Sequence, residues 1–219
     1  MAEQPPRKTA PVLIAVLSAL VIAVAVVFFF WSSADEMPVI GELTSFNLIN
    51  QDGKPTTLTD YAGKVWVADI IFTRCPGPCA RMSRHLADLQ TNFLDDNVIR
   101  FVSLTSDPEF DTPAVLKTYA TRFANTSDGK WSFLTGDKTS IRRLAVNDFK
   151  FVMVEKPLKD QKVPDDFFIH STWFVVVDGQ GKIRGWKDEH GQLHAYYDSE
   201  DDEIRARMVK NVRHLLRFN

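Results

Sequence analysis

Cys75 and Cys79 are the two cysteines of this 219-residue chain, and both lie in Phe72-Thr73-Arg74-Cys75-Pro76-Gly77-Pro78-Cys79. Two thiolates this close can form a disulfide or share an ion, and soft sulfur donors select Cu(I), Zn or iron–sulfur. Two ligands rarely complete a metal site, so a third donor, a histidine by chemistry, has to be sought. Redox dithiols of the thioredoxin type place two residues between their cysteines. Here there are three, Pro76, Gly77 and Pro78, a wider loop that lets both sulfurs converge on an ion and still permits a disulfide. A purely structural bridge is the alternative, but closing so short a loop removes little chain entropy. With no other cysteines to build a disulfide framework, redox or metal chemistry is the better reading.

The flanking residues say how the pair is positioned. Val65 to Phe72 is apolar and rich in β-branched and aromatic residues, which predicts a buried strand. After the cysteines, Met82, Leu86, Leu89 and Phe93 recur at helical spacing. The pair therefore occupies a strand-to-helix turn. Pro78 suits the first helical position and Gly77 the residue before it. Cys79 would then sit in the first helical turn, where unpaired N–H groups and the dipole favour a thiolate. Arg74 is expected to act on Cys75 in the same direction.

Composition narrows the class. The chain is 45% hydrophobic and 25% charged with a net charge of −2. Without a basic run it gives no sign of nucleic acid as a partner. Val12 to Trp31 is unbroken apolar sequence except for Ser18, about the length a bilayer core requires of a helix. Arg7 and Lys8 precede it and Asp35 and Glu36 come after, which predicts a cytoplasmic N-terminus and an exported remainder. The run is long for a cleaved signal peptide, and no cysteine stands after it to carry a lipoprotein anchor. The expected organisation is a tail over 1–11, a transmembrane anchor over 12–31, a linker over 32–40 and one globular domain over 41–219. No Arg-rich transit segment precedes the anchor, which favours a bacterial inner (cytoplasmic) membrane and a periplasmic domain over a mitochondrial setting.

Along the domain, Phe46 and Leu48, then Gln51-Asp52-Gly53-Lys54 and Thr57-Leu58, predict a β-hairpin. Val98 to Thr105 is a second buried strand. Asp111 or Thr112 caps a helix that has Pro113 in its first turn. Trp131–Leu134 reads as a strand, Lys138–Ala145 as a short helix, Phe149–Val154 as an edge strand and Glu155–Asp166 as a loop. Trp173–Val177 and Lys182–Trp186 form a hairpin about Asp178-Gly179-Gln180-Gly181, residues 187–198 are a loop, and Glu203–Phe218 is a closing helix. Strands alternating with helices give an α/β sheet covered on both faces.

Of the five histidines, His170 stands at the start of a strand, which in a thioredoxin-like sheet faces the cysteine turn. By pattern alone a structural role for it is equally open. His85 lies beyond the first helical turn and reads as a surface residue, and His214 as a solvated one. His190 and His194 read as parts of a solvated loop rather than as metal ligands. Asp69 is an acid inside a buried strand, expensive unless paired or protonated. Its distance from Cys75 is similar to that of the buried acid beneath the redox pair of thioredoxins. It is either a proton acceptor for a thiol or an edge carboxylate paired with a lysine or arginine.

Three separated segments, the cysteine turn, Ser106-Asp107-Pro108-Glu109-Phe110-Asp111-Thr112-Pro113, and His170-Ser171-Thr172 ahead of Asp178-Gly179-Gln180-Gly181-Lys182-Ile183, occur in that order. In them the chain resembles the Sco/SenC copper chaperones of cytochrome c oxidase assembly, from Gly41 to the end. The resemblance implies a thioredoxin-like fold with an N-terminal β-hairpin extension, and a copper ion, Cu(I) or Cu(II), bound by Cys75, Cys79 and His170. It implies a copper-bearing oxidase subunit or another copper chaperone as partner, and an N-terminal membrane anchor suits it. Ile169 stands where that family often has an acid, and Ala80 where it often has a proline. The alternative function is an extracytoplasmic thiol–disulfide oxidoreductase with Cys75 and Cys79 as its redox pair, acting on the oxidase subunit or other exported proteins. A tethered binding module with a structural disulfide is the plainest third option.

Overall fold

The computed structural model describes residues 9–33, 37–75, 77–123, 128–151, 154–155, 168–169 and 172–218. The chain divides into two units, Met1–Met37 and Pro38–Asn219. The first contains α1 (Thr9–Ser33), 25 residues without a charged side chain. Its side chains are described over 14–26, where all are exposed. Over the residues whose side chains are described, which in α1 are 14–26 alone, no helix is long and apolar enough to cross a membrane.

The second unit opens with β1 (Val39–Glu42), so Val39 and Ile40 belong to the domain and not to the linker that the sequence suggests. β2 (Asn47–Asn50) and β3 (Pro55–Thr57) form the expected hairpin. Asn50 Oδ1 accepts from the N–H groups of Asp52 and Lys54, both at 3.0 Å, and closes its turn. Gly53 completes that turn at φ +74°, a region that side chains avoid.

Next come β4 (Val65–Ile71), α2 (Pro78–Thr91), β5 (Ile99–Thr105), α3 (Pro113–Ala120) and β6 (Trp131–Thr135). The three strands are parallel neighbours. Helical crossovers of this kind are what parallel pairing requires. α4 (Lys138–Arg142) continues into a π turn, Arg143–Asp148. β7 (Val154–Glu155) pairs with β8 (Phe168–Ile169), and β9 (Trp173–Val177) returns through the predicted hairpin into β10 (Lys182–Arg184). β11 (Trp186–Lys187), β12 (Leu193–His194), β13 (Tyr197–Asp198) and α5 (Asp202–Phe218) complete the order. The main sheet runs β1-β10-β9-β4-β5-β6-β2-β3, with β13 also paired to β9.

Strand β4 is buried along its whole length. Side chains alternate across a sheet, so Trp66, Ala68 and Ile70 join one apolar cluster with Tyr61, Phe149 and Val175. Val67, Asp69 and Ile71 occupy the opposite face. Met82, Leu86 and Leu89 of α2, and Met208 and Val212 of α5, are buried at the helical spacing the sequence predicts.

Two regions differ from expectation. Over 149–151 the chain is not the expected edge strand, which is confined among the described residues to Val154–Glu155 of β7: Phe149 and Phe151 are 1% and 2% exposed. They leave the π turn through hydrogen bonds to Leu144 O and Ala145 O. Their alternation marks a chain dipping twice into the core around Lys150 at φ +60°, not a sheet edge. Residues 187–198 are not a plain loop either, because β11 and β12 pair there and β13 joins β9.

Candidate dithiol and metal centre

The carboxyl ends of β4 and β5 lie side by side, with Ile71 opposite Thr105. The turns that leave these two strand ends build the site, in the crevice position open parallel sheets provide. After β4 the chain makes a tight turn, with Cys75 N–H donating to Phe72 O at 3.1 Å. Thr73 and Arg74 are its central residues. Gly77 is then the N-cap of α2 and Pro78 opens the helix, as the sequence predicts. Pro76 lies outside the described residues.

Cys75 and Cys79 are both thiols. Cys75 is half-buried, Cys79 fully buried. The backbone N–H of Cys79 donates to Cys75 Sγ at 3.4 Å. The helix terminus thus serves the first sulfur with an N–H, not the second. The Cys79 thiol is pushed far up, first by its hydrogen bond to Cys75 and then by burial, with the charges of Cys75 and Asp69 adding to this. The hydrogen bond to Cys75 and burial thus oppose the helix-end effect that the sequence suggests for Cys79. Arg74 Nη2 donates to Asp107 Oδ2 at 2.5 Å and its guanidinium lies over the Phe110 ring at 4.2 Å, which ties the turn to the neighbouring loop.

That loop, Thr105 to Asp111, lies from Ser106 onward in the second of the segments that carry the resemblance, and its residues are otherwise read in the sequence as a strand end and a helix start. Thr112 is the N-cap of α3, accepting from Val115 N at 3.4 Å. Asp111 instead turns inward, fully buried. It accepts from Thr73 N at 3.1 Å, from Thr73 Oγ1, and from Thr105 Oγ1 at 2.5 Å. Ser106 N–H and Oγ both donate to Ile71 O, at 2.7 and 3.2 Å. The sequence signal for these contacts is Asp107 and Asp111 on either side of Pro108-Glu109-Phe110, but only the parallel register places them against the cysteine turn.

Asp69 is fully buried on the face of β4 opposite the aromatic cluster. Among the described residues, neither carboxylate oxygen has a hydrogen-bond donor in full geometry. Burial pushes its carboxyl up to about 7, and the Ser103 hydroxyl opposite it in the ladder offsets only part of that. Ser103 Oγ accepts from Trp131 Nε1 at 3.0 Å. The edge carboxylate paired with a cation is therefore not what forms.

The histidines separate clearly. His170 lies outside the described residues, between β8 and Thr172. Among the described residues no three potential ligands converge as a metal cluster. His85 is half-buried, not a surface residue, and its Nδ1 lacks a hydrogen-bond partner among the described residues. His194 Nε2 lies 3.0 Å from Asp188 Oδ2 and the ring stacks on Trp186 at 4.3 Å. His190 is exposed beside Glu189.

Fold and site together define a thioredoxin-like α/β domain carrying a dithiol where a buried strand turns into a helix. The chain belongs to the SCO1/SenC family, whose model matches residues 36–205. It is 35% identical over 171 residues to the SCO1 protein homolog of Bacillus subtilis, covering 77% of this chain and 84% of that protein. A crystal structure of a SCO1/SenC family lipoprotein from Bacillus anthracis matches with a TM-score of 0.68 and 29% identity, covering 83% of this chain and 99% of that one. BsSco, described as a member of the Sco family of cytochrome c oxidase assembly proteins with a disulfide switch, matches at TM-score 0.65 and 29% identity, covering 84% and 99%.

Proposed function

We propose that this chain is a membrane-anchored copper metallochaperone. It holds a copper ion through the thiolates of Cys75 and Cys79 and the imidazole of His170. It delivers that ion toward the copper centre of cytochrome c oxidase, either to the copper-bearing subunit or through another copper chaperone. The observation that carries the reading is the close cysteine pair, in which the backbone N–H of Cys79 reaches Cys75 Sγ at 3.4 Å. Two thiolates are soft donors that suit Cu(I), and with a nitrogen ligand Cu(II). Family membership supports the cargo and its destination. The anchor rests on α1: 25 residues rise about 38 Å, against a hydrocarbon core of about 30 Å. In this reading the N-terminus is cytoplasmic, the chain spans the inner membrane once, and the domain is periplasmic.

Loading copper removes both thiol protons. Cys79, with its high affinity for a proton, is the harder to ionise, and Asp69 beneath the pair is the acceptor we assign to it. Titrating the reduced full chain in detergent with Cu(I) against a competing chelator, beside its His170→Ala variant, tests the three-ligand site. One tightly held equivalent that weakens strongly in the variant is expected. Unchanged binding by His170→Ala would remove the histidine from the site.

The asymmetry of the pair supports a second reading, a thiol–disulfide oxidoreductase. A half-exposed Cys75 thiolate can attack a partner's disulfide, forming a mixed disulfide and releasing one partner thiolate. The buried Cys79 then displaces the second, leaving the partner reduced and Cys75–Cys79 oxidised. Turnover of a disulfide substrate by the metal-free His170→Ala protein, with a thiol reductant present to restore Cys75 and Cys79, would favour it.

A further inference from the structure

The turn that presents Cys75 has two central residues, and each is held by a carboxylate from the same neighbouring loop. Thr73 gives its N–H and hydroxyl to Asp111, and Arg74 gives its guanidinium to Asp107. The two acids are themselves tied together. Asp111 N–H donates to Asp107 O at 2.8 Å. The Thr105 hydroxyl accepts from Asp107 N at 3.0 Å while donating to Asp111 Oδ2 at 2.5 Å. Ser106 adds its two donors to Ile71 O, at the end of the strand that leads into the turn.

We infer that Asp111 is a positioning residue for the sulfur site, acting through Thr73 to fix the turn that aims Cys75 at Cys79. The inference rests on the sulfur pair being the working site, but not on which ion it takes. Burial alone does not account for Asp111. A carboxylate in a purely structural position is costly to bury, and a helix N-cap is already supplied by Thr112. Its three donors instead come from the last residue of β5 and from the first of the two central residues of the cysteine turn. The clamp therefore couples two strand ends whose separation sets where Cys75 sits. Outer-shell groups of this kind commonly shift metal affinity by about 10–100-fold when removed.

Asp111→Asn, which keeps the shape and one acceptor oxygen, and Thr73→Val, which removes one of the donors, are compared with the parent full chain in detergent. Three quantities are read: thermal stability, Cu(I) affinity by chelator competition, and the dithiol–disulfide equilibrium of the metal-free protein against glutathione. The expected result is a loss of Cu(I) affinity of roughly tenfold or more in either variant, a shifted thiol–disulfide equilibrium, and melting close to the parent. The double variant should lose little beyond the larger single effect, because both cut the same link. If Asp111→Asn does not fold, Thr73→Val carries the comparison. Parent-like affinity and equilibrium in a folded variant would overturn the inference. So would losses that merely track a lower melting temperature. If the parent binds no Cu(I), the copper reading fails, and the metal-free equilibrium still decides the role of Asp111.

Discussion

The two faces of strand β4 are buried equally and built differently. On one, Trp66 stacks on Tyr61 at 4.9 Å and meets Phe149 edge-on at 5.9 Å. Phe149, Phe151, Tyr196 and Trp173 extend the aromatic contacts across the domain. On the other face, Asp69 and Ser103 are fully buried on adjacent strands, and Ser83 of α2 meets the Tyr119 hydroxyl at 2.9 Å. The first face does what a core does: it removes apolar area from water. The second gives up part of that gain to place polar groups under the cysteines, which is the pattern expected where stability is traded for chemistry.

Exchanging one residue on each side breaks the comparison most sharply. Cys75→Ser should abolish tight Cu(I) binding while leaving the unfolding midpoint in urea nearly where it was, since Cys75 is half-buried. Trp66→Ala should do the reverse. It opens a cavity in the aromatic face and should cost about 3–5 kcal/mol, yet the fraction that remains folded should bind Cu(I) with parental affinity. Equal damage to both properties by either variant would mean that the two faces are not separable.

The next effect is smaller and has a definite sign. The Asp69 carboxyl is raised from its ordinary 3.8 to about 7 in the folded chain, so the folded state keeps a proton that the unfolded state releases. The stability this contributes is complete below about pH 4, falls as pH rises, and is gone above about 7. For one group across that window the loss is on the order of 4 kcal/mol. Urea unfolding of the parent from about pH 4 to 8 should show this decline, and Asp69→Asn should flatten it. A variant that keeps the full slope would place the titrating group elsewhere. A flattened slope with slower Cu(I) loading or thiol exchange above about pH 7 would assign Asp69 to the proton as well as to the cost.

Much of this architecture is legible in the sequence because the signals are local. The apolar run before Cys75, Pro78 after Gly77, and the helical spacing of Met82, Leu86 and Leu89 suffice to place the dithiol on a strand-to-helix turn. Gln51-Asp52-Gly53-Lys54 marks its hairpin for the same reason. The features that escaped depend on pairing between distant segments. Asp111 looks like a cap because it precedes Thr112-Pro113, and nothing local says that Thr73 lies against it. The sign of the helix effect on Cys79 was lost likewise: a first-turn position says where the dipole points, but not that burial and the Cys75 sulfur oppose it. Phe149 and Phe151 have the period of a strand because a chain dipping twice into a core alternates as an edge strand does.

The smallest effect concerns the histidines that sequence spacing alone could pair. His194 is already occupied: it bonds Asp188 and stacks on Trp186, whose ring also carries the Arg207 guanidinium at 4.7 Å. His190 sits in solvent beside Glu189. Asp188 is held below its usual range by the His194 bond and by the N–H groups of Gln192 and His190. His190→Ala should be silent. His194→Gln should lower stability only slightly, because a surface pair of this kind contributes little. Cu(I) stoichiometry in the competition assay should stay at the parental value in both. A lost equivalent in either variant would move metal chemistry to the β11–β12 hairpin and away from the turn where β4 meets α2.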